Sequence, residues 1–188
     1  MLYECRVHLV LVIPVVRFVA IILICIVAAV IYGVVHDQIT ARICVEYFTI
    51  GHPPVFGTDD PTLLGLGWGV IATWWVGLIL GVPLALSSRV GSWPQLGARQ
   101  LVRPLAIMLA VVAVLAFTAG VVGHIAATRK WVWILEPMAS RVPADRHVAF
   151  LTDLWAHSAS YIWGFFGGIA LCAYVLVRRA RSAVRPPV

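Results

Sequence analysis

Charge is scarce in this chain. Of its 188 residues only 12% are Asp, Glu, Lys or Arg, while 62% are hydrophobic, and the mean hydropathy is +0.97. A soluble domain carries about a quarter charged residues, so this composition excludes one and points to an integral membrane protein. No ten-residue segment alternates as a transmembrane strand does, which sets aside an outer-membrane barrel and leaves helices to satisfy the backbone in lipid. Neither a CxxC pair nor an HExxH motif occurs. Cys5, Cys25, Cys44 and Cys172 are scattered, so neither a disulfide framework nor a dithiol relay is indicated, and a zinc-protease centre has no motif. The centres of the apolar stretches hold no acid or base, which leaves a charged transport path without residues. Arg17, toward one end of the first stretch, snorkels to the surface.

Four apolar stretches are present, at about 10–35, 63–87, 104–127 and 158–177. Each is long enough to cross a hydrocarbon core of about 30 Å, which takes roughly 20 helical residues. The expected architecture is all-α and polytopic, one membrane domain over 1–188. Outer segments are expected at about 36–62 and 128–157, and a basic tail at about 178–188. The apolar run from Leu9 to Val35 exceeds the 7 to 15 residues typical of a signal h-region, so it reads as an uncleaved anchor.

Arginine placement orients the bundle, because short loops rich in Lys and Arg stay cytoplasmic. Arg6 and Arg17, then Arg89, Arg99 and Arg103, then Arg178, Arg179, Arg181 and Arg185 mark three segments for the inner face. The first loop sets only Arg42 against Asp37, Glu46, Asp59 and Asp60, and belongs outside. The third is mixed, with Arg129, Lys130, Arg141 and Arg146. The expectation is a bacterial cytoplasmic (inner) membrane protein with both termini inside. Its net charge of +6 then faces anionic headgroups, and nucleic acid is not an expected partner. The C-terminal arginines read as a lipid-facing stop signal.

Helix punctuation is legible. Asp60 before Pro61 reads as an N-cap with proline at the first helical position, and Pro104 reads as a second such start. Gly65, Gly69, Gly77 and Gly81, with Gly164 and Gly168, recur at four-residue spacing and mark close helix contacts, within one chain or between chains. Most tryptophans fall near span ends, where an indole suits the headgroup zone. A helix running past the membrane to Ile50 and stopped by Gly51 would make Arg42 and Glu46 an i,i+4 pair. Asp37, Thr40 and Cys44 would share another face, and the segment would cap the bundle mouth.

With that topology His36, His52, His124, His147 and His157 gather at the outer face, and His8 at the inner one. Asp153, His157 and Tyr161 share a helical face. His36, Asp37, His52, Asp153 and His157, with Glu46 and His124 nearby, form the candidate metal set. Imidazole and carboxylate suit zinc or copper, and without a metal the same groups could relay protons. Two histidines such as His124 and His157 could alternatively hold a haem. The competing reading is a noncatalytic scaffold, a homo-oligomer or an accessory subunit bound through its glycine faces, with the polar groups merely interfacial.

The run "HDQITARICVEYFTIGHP", followed by "DDPTLLGLGWGVIATWW" and later by "DLWAH", resembles a group of uncharacterised short bacterial four-helix membrane proteins. The similarity covers most of the chain. It implies the four-helix architecture and carries no activity, cofactor or catalytic residue.

Overall fold

The computed structural model describes residues 2–184, with side chains from residue 14 onward. The side chains of Cys5, Arg6 and His8, and Arg185 in the tail, lie outside the described residues. The described chain is all helical: α1 Leu2–Ile43, α2 Val45–Thr49, α3 Pro61–Ile71, α4 Trp74–Arg89, α5 Ala98–Thr128, α6 Met138–Arg141, a 3-10 turn Ala144–Arg146, and α7 His147–Val184. Four helical segments, Pro14–Ile43, Pro61–Arg89, Ala98–Thr128 and Ala144–Val184, are long and apolar enough to cross a membrane.

The helices outrun the apolar stretches that reveal them. α1 carries His36 to Arg42 in regular helix, and α7 begins at His147, so Asp153 and His157 sit on helical turns and not in a loop. Backbone hydrogen bonding within a helix continues wherever water or headgroups solvate its polar side chains, and hydropathy does not register that extension. Asp60 caps α3 as its position implies, its carboxylate accepting from the N–H groups of Thr62 and Leu63 at 2.9 Å each. Pro104 does not open a helix. α5 starts six residues earlier, where Gln100 folds back to accept the Gly97 N–H at 2.8 Å, and Pro104 falls inside it.

The second span is two helices, not one. α3 ends at Ile71 and α4 begins at Trp74, and the hydroxyl of Thr73 donates to the Gly69 carbonyl. A side-chain donor on an i−4 carbonyl competes with the regular ladder and favours a bend. The freed Ala72 carbonyl faces the Tyr161 hydroxyl across a long 3.5 Å. At the bend Thr73 lies so close over Gly33 that a Cβ there would sit 2.3 Å from its methyl.

α1 packs along α3 and α4, α5 packs along α7, and α4 joins the two pairs through α7. The glycines of α3 and α4 therefore serve the chain's own interior: Gly69 rides on the backbone of Val34 and Gly77 on that of Ile26. α1 and α5 touch much less, and a cleft stays open between them.

The basic C-terminal segment corrects a sequence expectation. α7 continues through it to Val184, and Arg179 points inward, 1% exposed. Its guanidinium donates to three carbonyls of the α4–α5 loop, Pro94 and Val90 at 2.9 Å and Trp93 at 3.0 Å, and to that of Ser87 in the last turn of α4. Its planar fork of five donors suits such a ring of acceptors, and loop carbonyls that nothing else satisfies supply them. Arg179→Leu is expected to leave these carbonyls unpaired and to destabilise the folded state by at least about 3 kcal/mol. Faster proteolysis near Gly91 in detergent-solubilised protein is the readout. Wild-type resistance would show that the loop holds without the arginine.

Candidate metal centre

Three side chains meet under the short helix α2. His36 and Asp37 come from α1 and His157 from the third turn of α7, and one potential ligand atom from each lies within 4.8 Å of the others. Asp37 and His157 are buried, at 5% and 7% exposure. His157 Nδ1 lies 2.8 Å from the Asp153 backbone carbonyl. A carbonyl only accepts, so Nδ1 carries the proton and Nε2 of a neutral ring presents a lone pair. That lone pair faces Asp37 Oδ1 at 3.2 Å. Two acceptors at that distance, shielded from water, call for a proton or a cation between them.

Aromatic rings set the geometry. Tyr47 of α2 stacks on the His157 ring at 4.4 Å between centroids, and His36 meets the same ring edge-on at 4.6 Å. Tyr32, one turn before His36, stacks on it at 5.8 Å, and the Tyr32 and Ser160 hydroxyls pair at 2.8 Å. A cavity of about 110 Å³ adjoins His36, Asp37 and His157, room for an ion with a water or two. No motif marks Tyr47 or Tyr32; the four-residue offset of Tyr32 from His36 is the sequence signal that places it on the same helical face.

The remaining candidates stand apart from this group. His52 Nδ1 donates to the Tyr47 carbonyl at 2.8 Å, and its ring lies against Trp68 and Phe48. Asp153 is fully buried, yet its carboxylate oxygens have no hydrogen-bond partner among the described residues. Its backbone, not its side chain, serves His157. His124 is exposed on α5 and contacts the Thr152 hydroxyl at 3.2 Å. His124 and His157 turn to different partners, Thr152 and Asp37. His147 Nε2 points at the carbonyls of Val142 and Ala139.

The cap is held by contacts that sequence spacing did not reveal. Helix α1 breaks at Cys44, whose backbone is extended at φ −147° and ψ 94°, and the break turns Glu46 away from Arg42. Glu46 pairs with Arg146 at 3.0 Å, while Arg42 reaches Gln38 and Thr62. Partial burial acts to raise the Glu46 carboxyl, but backbone and Arg146 hydrogen bonds overcome it and hold the group below its usual range. Burial pushes the Cys44 thiol up to about 12, which keeps it unreactive. Among the described cysteines none is in a disulfide.

Burial also holds His52 below its ordinary imidazole range, against an opposing pull from the Tyr47 carbonyl. The unfolded chain then binds a proton that the folded cap refuses. His52 packing is at full strength above the unfolded value of about 6.5 and weakens as pH falls below it. Trp68 fluorescence in detergent is expected to report loosening of the cap on acidification below that value, and His52→Phe to abolish the pH response. An unaltered response in that variant would assign it to another group.

Comparison of the chain with protein-family models, curated proteins and solved structures finds no significant match.

Proposed function

We propose that this chain is a multi-pass protein of the bacterial cytoplasmic membrane that binds one zinc or copper ion through His36, Asp37 and His157. Both termini lie on the cytoplasmic side and the metal group at the outer end of the bundle, an orientation supported by the arginine distribution. The resemblance to uncharacterised four-helix bacterial membrane proteins is compatible with this architecture.

The observation that carries the reading is His157 Nε2 held 3.2 Å from Asp37 Oδ1 within the three-residue group that includes His36, while Nδ1 is fixed by a backbone carbonyl. That is the tautomer a metal-binding histidine uses, with its second nitrogen anchored outside the coordination sphere. Two imidazoles and one carboxylate leave a position free, as zinc sites with chemistry do and structural zinc sites do not. A metal there would supply charge stabilisation or, as copper, a redox centre. His157 and Asp37 would hold it, His36 would complete the set, and Tyr47 and Tyr32 would fix both rings and keep water sparse.

Gly69 and Gly77, which would suit a scaffold contact, are consumed against α1, which favours the metal reading. The test is metal content by mass spectrometry after loading detergent-purified protein with Zn²⁺ or Cu²⁺ and dialysing it. One ion per chain is expected. Less than a tenth of an equivalent of either would overturn the proposal.

A further inference from the structure

The end of the bundle opposite the metal group gathers arginines from three helices. α1 and α4 run antiparallel in a fixed register, with Gly77 against Ile26 and Gly81 against Ile22. Each step of four residues along α4 matches a step of four back along α1, so Arg89, the last residue of α4, falls level with the turn of α1 that carries Pro14 and Arg17. Arg179 of α7 comes in from the other side, because two of the carbonyls that hold it, those of Ser87 and Val90, stand on either side of Arg89 in the chain. Arg17 and Arg179 are near enough for their charges to act on Arg89.

The three differ in how they are satisfied. Arg179 is held by carbonyls and Arg17 is exposed, whereas Arg89 is 9% exposed and its guanidinium has no partner among the described residues. The side-chain bond that reaches Arg89, from Gln95 at 2.9 Å, goes to its backbone carbonyl. Every described acid lies toward the other end, from Asp37 to Asp60 around the cap and from Glu136 to Asp153 between α5 and early α7. A guanidinium keeps its proton, and a largely desolvated cation set between like charges is costly until an anion pairs with it. The described chain supplies none.

We propose that Arg89 and Arg17 hold the phosphate of one anionic phospholipid where α1 and α4 meet. Planar guanidinium forks match phosphate oxygens bidentately, and two of them from different helices fix a headgroup in place. Arg89 ends the membrane-crossing segment Pro61–Arg89, so the pair sits where a span meets the headgroups. Exposed Val15 and Val19 on α1 and Leu86 on α4 give acyl chains an apolar course beside the pair. A free phosphate has the same charge and makes no use of that surface, which favours the lipid. The site does not depend on a bound metal.

Native mass spectrometry of the full chain in detergent, with dioleoylphosphatidylglycerol as probe and dioleoylphosphatidylcholine as the zwitterionic comparison, tests the proposal. Wild type is expected to retain one phosphatidylglycerol, to prefer it at least tenfold over phosphatidylcholine, and to keep it in excess inorganic phosphate. Arg89→Gln and Arg17→Gln are each expected to lower retention at least tenfold. Arg17 is exposed, so its variant decides the matter even where Arg89→Gln alters folding. Arg181→Gln, which removes an exposed arginine of the same end, is expected to retain the lipid as wild type does. Wild-type retention in Arg17→Gln would overturn the proposal. An equal loss in Arg181→Gln would do so too, by reducing the effect to net charge, as would displacement by inorganic phosphate, which would make the ligand a free anion.

Discussion

His36→Ala and His157→Ala chains are expected to emerge from metal loading with less than a tenth of an equivalent of zinc or copper, where the proposed site predicts one equivalent in wild type. Each removes one of three ligands, and a loss of even a supporting group around a metal typically costs ten- to a hundredfold in affinity, so a direct ligand costs roughly a hundredfold or more. The two variants differ in what else they disturb. Removing His157 leaves buried Asp37 without its 3.2 Å partner, a loss worth about 1–3 kcal/mol of stability. His36 has an unpartnered Nε2, so its removal abolishes metal binding in a chain that still folds. Asp37→Asn keeps the shape and forfeits the charge, and falls with the histidine variants. His124→Ala and His52→Ala, outside the cluster, keep the metal. Full metal content in His36→Ala would eliminate the three-residue site.

Gly69→Ala and Gly77→Ala are expected to lower the thermal midpoint sharply, and Gly164→Ala to leave it unchanged or raise it. A Cβ at Gly69 would fall 2.5 Å from Val34 Cα and 2.6 Å from Val34 N; at Gly77 it would fall 2.6 Å from Ile26 Cα. These obstacles are backbone, which no rotamer change can move, so the helices themselves must separate. Overpacking a core costs about 1–3 kcal/mol, and a backbone collision belongs at or above the upper end. In lipid, apolar side chains gain little by leaving acyl chains, so the close approach is the attraction and its loss is not offset. Gly164 has nothing within 4 Å of its Cβ position, and alanine there gains helix propensity of up to about 1 kcal/mol. Displacing α1 from α3 also moves His36 and Asp37 relative to His157, so Gly69→Ala is expected to lose metal with every ligand present. Circular dichroism melts in detergent, paired with metal analysis, check both effects. Equal midpoints for Gly69→Ala and Gly164→Ala would show that the glycine face does not hold α1 in place.

Solvent choice and local register are written in the residues. Sparse charge and four apolar stretches require helices in lipid, because backbone polar groups there must be satisfied within each span. Asp60 beside Pro61 starts α3 for reasons contained in those residues, and glycines four apart must share a face whatever lies opposite. The donors of the metal group were legible as candidates for the same reason: His36, Asp37 and His157 are polar side chains at the edge of apolar runs, where burial is costly unless they are used.

Partnership was not legible, because it depends on the rotation and depth of one helix against another, and on two interruptions with weak local signatures. The break at Cys44 sends Glu46 to Arg146, a hundred residues away, and the one at Ala72–Thr73 splits a span that hydropathy shows as continuous. His52 and Asp153 satisfy every composition and spacing test that His36 satisfies, yet one packs under the cap and the other turns toward the α1–α5 cleft. Arg179 looks like any cytoplasmic arginine until the α4–α5 loop folds around it. Periodicity tells which side chains share a face of one helix; only packing tells what that face meets, since the energy of the meeting belongs to no single segment.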